Sequence, residues 1–416
     1  MGEWKEYKIK NLGLVVTGKT PSSKFPEEFG FDMPFITPSD YKYYGKWAEY
    51  SDRGLSKNGV KKLQNKILPI GSVLVTCIGS DMGKVVLNKV PVITNQQINS
   101  IIPNQNLVTT DFLYYKIIDC YETLRMYGQA GSAVPIVNKG DFEEIILEVP
   151  EDIEEQKSIA SILSSLDDKI DLLHRRNKTL EALAETLFRQ WFVEEVEEGW
   201  EVVKVKDVCK TITKGTTPTT LGNSFTETGV NFLKAESLTD DGDLLENKFA
   251  HIDEATNEKL SRSKIEVNDL IITIAGTIGR VAIVPERILP ANSNQALAIL
   301  RLAENTISHI FLYCLFKTTE VRNDFESRVV HAVQPNLSLS EIGDIAFKLP
   351  SKEKLSFGEK ELGLIFQKKE KNNIQIRTLT RLRDTLLPKL MSGEVRIQLP
   401  LPPSLTKEGE IRLKEK

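Results

Sequence analysis

Between Asp152 and Phe192, apolar residues return at steps of four and three: Ile159, Leu163, Leu166, Ile170, Leu173, Asn177, Leu180, Ala184, Leu187 and Trp191. This heptad seam, interrupted by a single asparagine, commits the stretch to one long helix that packs along a partner. At about 1.5 Å per residue its 41 residues would make a rod of roughly 60 Å. Adding 199 to each number finds that partner in the same chain. The second seam reads Leu362, Ile365, Lys369, Asn372, Ile376, Leu379, Arg383, Leu386 and Leu390, and the flanking Leu183 and Phe188 are matched by Leu382 and Leu387.

Charge separates the two helices. Residues 151–198 carry 13 acidic and 6 basic side chains, net −7, whereas residues 351–396 carry 11 basic and 6 acidic, net +5. Opposite charge favours pairing the two seams with each other and disfavours pairing either with itself. In an antiparallel pair, setting Asn177 against Asn372 places Leu173 on Ile376, Ile170 on Leu379, Leu180 on Lys369, Leu166 on Arg383, Leu187 on Leu362 and Leu163 on Leu386. The two asparagines then satisfy each other, while Lys369 and Arg383 are expected to run their stems along the seam and keep their charges in water. Two separate surface helices, each covering its own domain, are the alternative.

The repeat runs through the whole chain at offsets of 196 to 199 residues, so the chain is an internal duplication. Trp4 leads into YKIKNLGLVVTGKTPSS and Trp200 into EVVKVKDVCKTITKGTTPTT. GSVLVTCIGSDMGKVV (71–86) matches NDLIITIAGTIGRVA (268–282), Asn95-Gln96 matches Asn294-Gln295, and DFLYYKI (111–117) matches IFLYCLF (310–316). Short apolar runs ending in glycine read as buried strands, with Gly79, Gly83, Gly276 and Gly279 in tight turns. Residues 109–127 and 306–327 read as helices, the first capped around Thr109. The expected fold is mixed α/β: two similar globular units joined by two long antiparallel helices in a pseudo-twofold arrangement. The divisions are 1–150 (first unit), 151–193 (central spacer helix), 199–350 (second unit), 351–397 (C-terminal spacer helix and closing motif) and 398–416 (tail).

Composition narrows the classes. Four scattered cysteines (Cys77, Cys120, Cys209, Cys314) with no CxxC spacing fit a reduced compartment and argue against structural zinc. No run reaches 18 apolar residues, and the opening MGEWKEYKIK lacks the apolar core of an export signal, so a cytoplasmic chain is expected. Net charge is −4, so any binding to DNA must use local patches or rely on partner subunits for phosphate neutralisation. A Walker A loop, a GxGxxG fingerprint and HExxH are all absent, so no catalytic residue and no metal ligand is assigned.

LFRQWFVEEVEEGW (187–200), RDTLLPKLMSGEVRI (383–397), the GKTPSS and GTTPTT turns and QPNLSLSEI (334–342) resemble the specificity subunits of Type I restriction–modification enzymes over residues 3–397. The resemblance implies a non-catalytic DNA-recognition subunit. It would read a bipartite, asymmetric double-stranded DNA target and dock two methyltransferase subunits, with restriction–translocase subunits joining them. By the same resemblance this chain binds no cofactor, and S-adenosylmethionine, ATP and magnesium belong to the partners. SAVPIVNKGDF (132–142) matches the family pattern less well than HAVQPNLSLSEI (331–342). If both units face one side of the duplex, half-site centres fall about 10 bp apart. The competing class is a coiled-coil adaptor with two protein-binding domains and no role at DNA.

Candidate DNA contacts follow from side-chain chemistry. Lys19, Thr20, Ser22, Ser23 and Lys24 form a short polar basic turn suited to phosphate oxygens. Tyr41, Lys42, Tyr43 and Lys46 interleave aromatics with cations, as a reader of DNA or as a surface loop packed on its domain. Asn95, Gln96 and Gln97 could bond adenine bidentately or could satisfy buried backbone. Lys84, one residue after a hairpin glycine, matches Arg280, which suggests a shared phosphate contact. The second unit adds Lys214, Thr216, Thr217, Lys234, Ser237, Thr277, Asn294, Gln295, Arg328, His331, Gln334 and Asn336.

Overall fold

The computed structural model describes residues 3–79, 81–129, 135–330 and 336–396. The chain divides into two compact units, Met1–Leu172 with Gln375–Lys416, and Leu173–Ile374. Two long helices, Ile153–Arg189 and Lys352–Met391, each give one half to each unit.

The first unit is built on a five-stranded sheet in the order Gly13–Thr17, Ile98–Pro103, Val73–Thr76, Val85–Asn88, Trp47–Ala48. Side chains alternate across a strand, and here both faces are covered. Val73 and Val75 face a core shared with Phe112, Leu113 and Leu163, while Leu74 faces Ile36, Val86 and Ile98 on the other side. That is why VLVT reads as one continuous apolar run. The second unit repeats the scheme with a four-stranded sheet, Cys209–Lys214, Leu297–Leu302, Leu270–Thr273, Val281–Ile283. Leu270 and Ile272 face Phe311 and Phe188, and Ile271 faces Leu233 and Val284. In each unit a short parallel pair lies beside the sheet, with Phe35 opposite Ile93 in one and Phe232 opposite Asn292 in the other. Gly79, Gly83, Gly276 and Gly279 all take positive φ, the conformation that the two hairpin turns require.

The helices read as single elements over 109–127 and 306–327 are each two. Thr110–Asp119 and Tyr121–Gln129 break at Cys120, and His309–Lys317 and Thr319–Val330 break at Thr318, which is extended at ψ 149°. The breaks bring Leu124 and Phe325 into their respective cores. Nor does Thr109 cap with its own hydroxyl. Its backbone N–H instead donates to the fully buried Gln156, whose amide in turn holds the carbonyls of Leu107 and Pro150 and seats the start of the long helix.

The long helices serve as core walls as well as a seam. Ile159, Ala160 and Leu163 with Leu390 and Met391 close the core of the first unit, and Ala184, Phe188, Leu355 and Leu362 close that of the second. The other seam positions assigned from the sequence, Leu166, Ile170, Leu180, Leu187, Ile365, Ile376, Leu379 and Leu386, are partly buried, and Leu173 is buried. Leu183 and Leu382 instead face outward, 46% and 44% exposed. The second helix stops at Gly393, where φ is +71° and a side chain would press on Trp4.

Within the second unit Asn372 Nδ2 donates to Asn177 Oδ1 at 2.8 Å, so the two asparagines occupy one layer. Asn177 Nδ2 donates onward to Asn373 Oδ1 at 2.6 Å, a partner the register argument did not foresee. The charges placed in water by that argument behave differently. Lys369 is buried, with its Nζ 2.9 Å from Glu181 Oε2 and 3.0 Å from the Asp241 carbonyl. Lys317 Nζ lies 3.1 Å from Glu181 Oε1, which also accepts from the Tyr313 hydroxyl at 2.5 Å. In the first unit Arg383 Nη1 lies 3.0 Å from Asp167 Oδ1, and Asp167 Oδ2 accepts from the Tyr115 hydroxyl at 2.6 Å. Both cations sit at the face where the helix pair meets its globular domain, so an unpaired charge would cost several kcal/mol and a carboxylate meets it instead. Burial would raise the Glu181 carboxyl, but Lys369, Lys317 and the hydrogen bonds from Tyr313 and Lys369 hold it below the usual carboxylate range.

Two outcomes test these layers. Replacing Asn177 by leucine strands the Asn372 amide and should cost about 1–3 kcal/mol in denaturant unfolding. Adding Asn372→Leu should recover stability, and a double variant no better than the single one would rule the layer out. Because folding lowers the pKa of Glu181 from its ordinary 4.5, its contribution is complete above that value and is lost as the pH falls through the folded value. Glu181→Gln should therefore destabilise the protein by about 3–5 kcal/mol at neutral pH. The gap from wild type should close in the acid range, and a pH-independent gap would show that the ion pair is not its source.

Candidate nucleic-acid interface

Strand register brings two of the motifs together. In the first unit Thr17 pairs with Asn99, so the chain leaving the strand at Gly18 runs beside the segment that enters the next strand at Ile98. Gly18 N donates to Ile98 O at 3.2 Å and Lys19 N to Thr94 O at 2.9 Å. A side chain at position 18 would strike the carbonyls of Thr94 and Asn95, so glycine is required by close approach. In the second unit Lys214 pairs with Ala298, Gly215 N donates to Leu297 O at 3.4 Å and Thr216 N to Ser293 O at 3.1 Å. The turn hydroxyl then reaches across: Thr20 Oγ1 donates to Gln96 Oε1 at 2.6 Å, and Thr217 Oγ1 donates to Gln295 Oε1.

The asparagines beside these glutamines are used internally. Asn95 is buried, and its Oδ1 accepts from Gln97 N at 3.1 Å while its Nδ2 donates to Gln97 Oε1 at 2.9 Å. Asn294 Oδ1 accepts from Ala296 N at 3.2 Å. Of the two roles open to them, these asparagines take the one that satisfies backbone. Around them Lys19, Ser22, Ser23, Lys24 and Gln96 are exposed and Gln97 half-buried in the first unit, as are Gln295 (exposed), Lys214, Thr216 and Thr217 (half-buried) in the second.

Several candidates are structural instead. Lys46 has only 7% of its side chain exposed. It pairs with Asp111 at 2.5 Å, donates to Ser164 at 2.8 Å and lies 5.3 and 5.0 Å from the rings of Tyr114 and Tyr115. Tyr41 is buried, and Ser237 is fully buried with its Oγ accepting from Lys234 N at 3.1 Å. For Tyr41 and Lys46 this is the packed-loop alternative, and Ser237 shows that a hydroxyl in a polar loop carries no mark of burial in the sequence. Lys84 is exposed and pairs within its own hairpin with Asp81 at 2.6 Å. Arg280 is held by Asp240 at 2.6 Å and by the Leu238 carbonyl at 2.9 Å. The two therefore share a position in the repeat and not an environment. Lys234 Nζ stands 4.8 Å over the ring of Phe225. Lys42 and Thr277 are exposed, and Asn336 is exposed beside Ala275. The side chains of Tyr43 and Arg328, and residues His331 and Gln334, lie outside the described residues.

One residue was missed. Arg262 Nη2 lies 3.4 Å from both the Lys214 carbonyl and Thr216 Oγ1, setting an exposed guanidinium on the second turn. The short turn that carries it, Ser261–Ser263, recurs as Gln64–Lys66 in the first unit, but only tertiary structure brings the arginine to the glycine turn. Burial pushes the Cys77 and Cys209 thiols up to about 12 and that of Cys120 up to about 11, so none supplies a thiolate near neutral pH. Among the described residues no three His, Cys, Asp or Glu side chains group to hold a metal ion, and no helix is long and apolar enough to cross a membrane.

The Type I restriction modification DNA specificity domain matches the chain twice, over residues 1–182 and 197–382. The MjaIX specificity subunit of a Type I restriction enzyme from Methanocaldococcus jannaschii is 29% identical over 421 residues, covering 95% of this chain and 94% of that one. The HindI specificity subunit of Haemophilus influenzae is 22% identical over 477 residues, covering 95% and 100%. In fold, the chain resembles the crystal structure of the Type-I restriction-modification system S subunit from M. genitalium, with a TM-score of 0.53 at 17% identity over 94% of this chain and 96% of that one. With one domain match on each copy of the Gly-Thr turn, the chain belongs to the Type I restriction modification DNA specificity family and carries the family's domain in duplicate.

Proposed function

We propose that this chain is the subunit that selects the DNA target of a Type I restriction–modification enzyme, and that its two units read two different half-sites of one split sequence. The observation that carries this reading is a shared scaffold with unshared loops. The glycine turn, the asparagine turn and the glycine hairpin recur at matching positions. The residues around them do not: SSKFPEEF follows the first turn where TTLGNSFT follows the second. Two scaffolds that present different side chains suit two different sequences.

Catalysis in this assembly belongs to other subunits. The long helices, with Leu183 and Leu382 outward, offer a surface on which two methyltransferase subunits dock, and restriction–translocase subunits join that core. S-adenosylmethionine, ATP and magnesium are held by those partners, and the assembly works in the cytoplasm, where its DNA is. The chain's net charge of −4 accords with partners that supply part of the phosphate neutralisation.

The test is a transplant. Replacing residues 20–140 with the equivalent segment of a relative should change one half-site and leave the other half-site and the gap untouched. Lengthening the helix within residues 160–185 should change the gap alone. A transplant that altered both half-sites together would contradict the assignment of one half-site to each unit.

A further inference from the structure

We infer that Gln96 and Gln295, each oriented by the turn threonine beside it, grip the DNA backbone in the same way in both units and carry no base preference. The inference rests on the DNA-recognition reading above and assigns a role within it.

The backbone contacts that hold the two sites agree pair by pair. Asn95 N donates to Ile36 O at 3.1 Å and Asn294 N to Leu233 O at 3.2 Å, while Ile98 N donates to Asn95 O and Leu297 N to Asn294 O, both at 3.3 Å. A side chain on either turn glycine would meet backbone carbonyls, those of Thr94 and Asn95 in one unit and of Ser293 and Asn294 in the other. The turn and the glutamine are thus fixed against each other before any ligand arrives, which lowers the entropy lost on binding.

The direction of the threonine bond decides what the glutamine can offer. Its carbonyl oxygen accepts from the hydroxyl, and among the described residues its Nε2 has no protein partner. Bidentate reading of adenine would have to share an oxygen that already accepts one hydrogen bond, whereas a phosphate oxygen needs only the outward Nε2 donor. Cations stand close by, with Lys19 exposed on the first turn and Arg262 on the second. A hydrogen bond between exposed side chains adds little to folding, so stability does not account for its appearance in both units. A contact repeated in two units whose remaining loops differ has to work on two different half-sites, and the phosphate backbone is what those half-sites share.

The experiment uses the full chain assembled with its methyltransferase partner. Fluorescence anisotropy would compare the duplex that this complex methylates with a duplex of equal length whose half-sites are scrambled. Gln96→Ala and Gln295→Ala should each weaken both duplexes by the same factor, roughly threefold to tenfold, leaving their ratio unchanged. Gln96→Glu, which turns a carboxylate toward phosphate, should weaken both further and most strongly at low salt. A fall in the ratio, with one base pair of one half-site newly tolerated, would overturn the inference and make the glutamine a base reader. Unchanged binding to both duplexes would overturn it equally, leaving the pair a feature of the turn. A wild-type complex with no preference between the two duplexes would instead count against the DNA-recognition reading itself.

Discussion

In each unit a carboxylate from the first long helix meets a cation from the second, and a tyrosine of the globular domain bonds to that carboxylate. The sets are Asp167, Arg383 and Tyr115 in one unit and Glu181, Lys369 and Tyr313 in the other. The repeat does not explain this pattern, because it would put Phe366 and Thr380 where Asp167 and Glu181 stand, and Ala184 and Ile170 where Arg383 and Lys369 stand. The charges break the internal symmetry in a consistent sense. A helix paired with a copy of itself would lose both sets, so the asymmetry selects the pairing of unlike helices. The tyrosines also make the helix pair part of each recognition domain, so that folding of the domain and alignment of the helices stabilise each other.

The long helices were the most legible part of the sequence. A seam repeated at a fixed offset, with opposite net charges, identifies both helices and brings Asn177 to Asn372. Its limits are equally physical. Heptad spacing says which side chains share a stripe and nothing about what lies beyond the partner helix, so Lys369, expected in water, is instead buried against the globular domain, while Arg383 stays partly exposed between Asp167 and Asp384. The helices within the domains were read as unbroken because apolar periodicity continues across Cys120 and Thr318 while the backbone does not.

At the candidate interface, the sequence marks candidate segments but not which of their atoms are exposed. The glycine turns and the asparagine–glutamine segments were read as separate contacts, and antiparallel register makes each pair one site. Burial then sorts side chains that look alike in sequence: Asn95 turns inward beside an outward Gln96, Lys46 is sandwiched among tyrosines while Lys19 is free of them, and Ser237 disappears into a turn. Arg262 shows the converse, a residue that no motif marks and that only the folded chain delivers to the site.

Two equivalent scaffolds with different loops, each carrying half of both long helices, should read two unlike sequences. The most direct measurement is a genome-wide map of DNA methylation in cells that carry this chain together with its methyltransferase partner. The account predicts one asymmetric motif, made of two distinct half-sites separated by a constant number of unread base pairs. A continuous motif, or a palindrome in which both halves are the same, would contradict it.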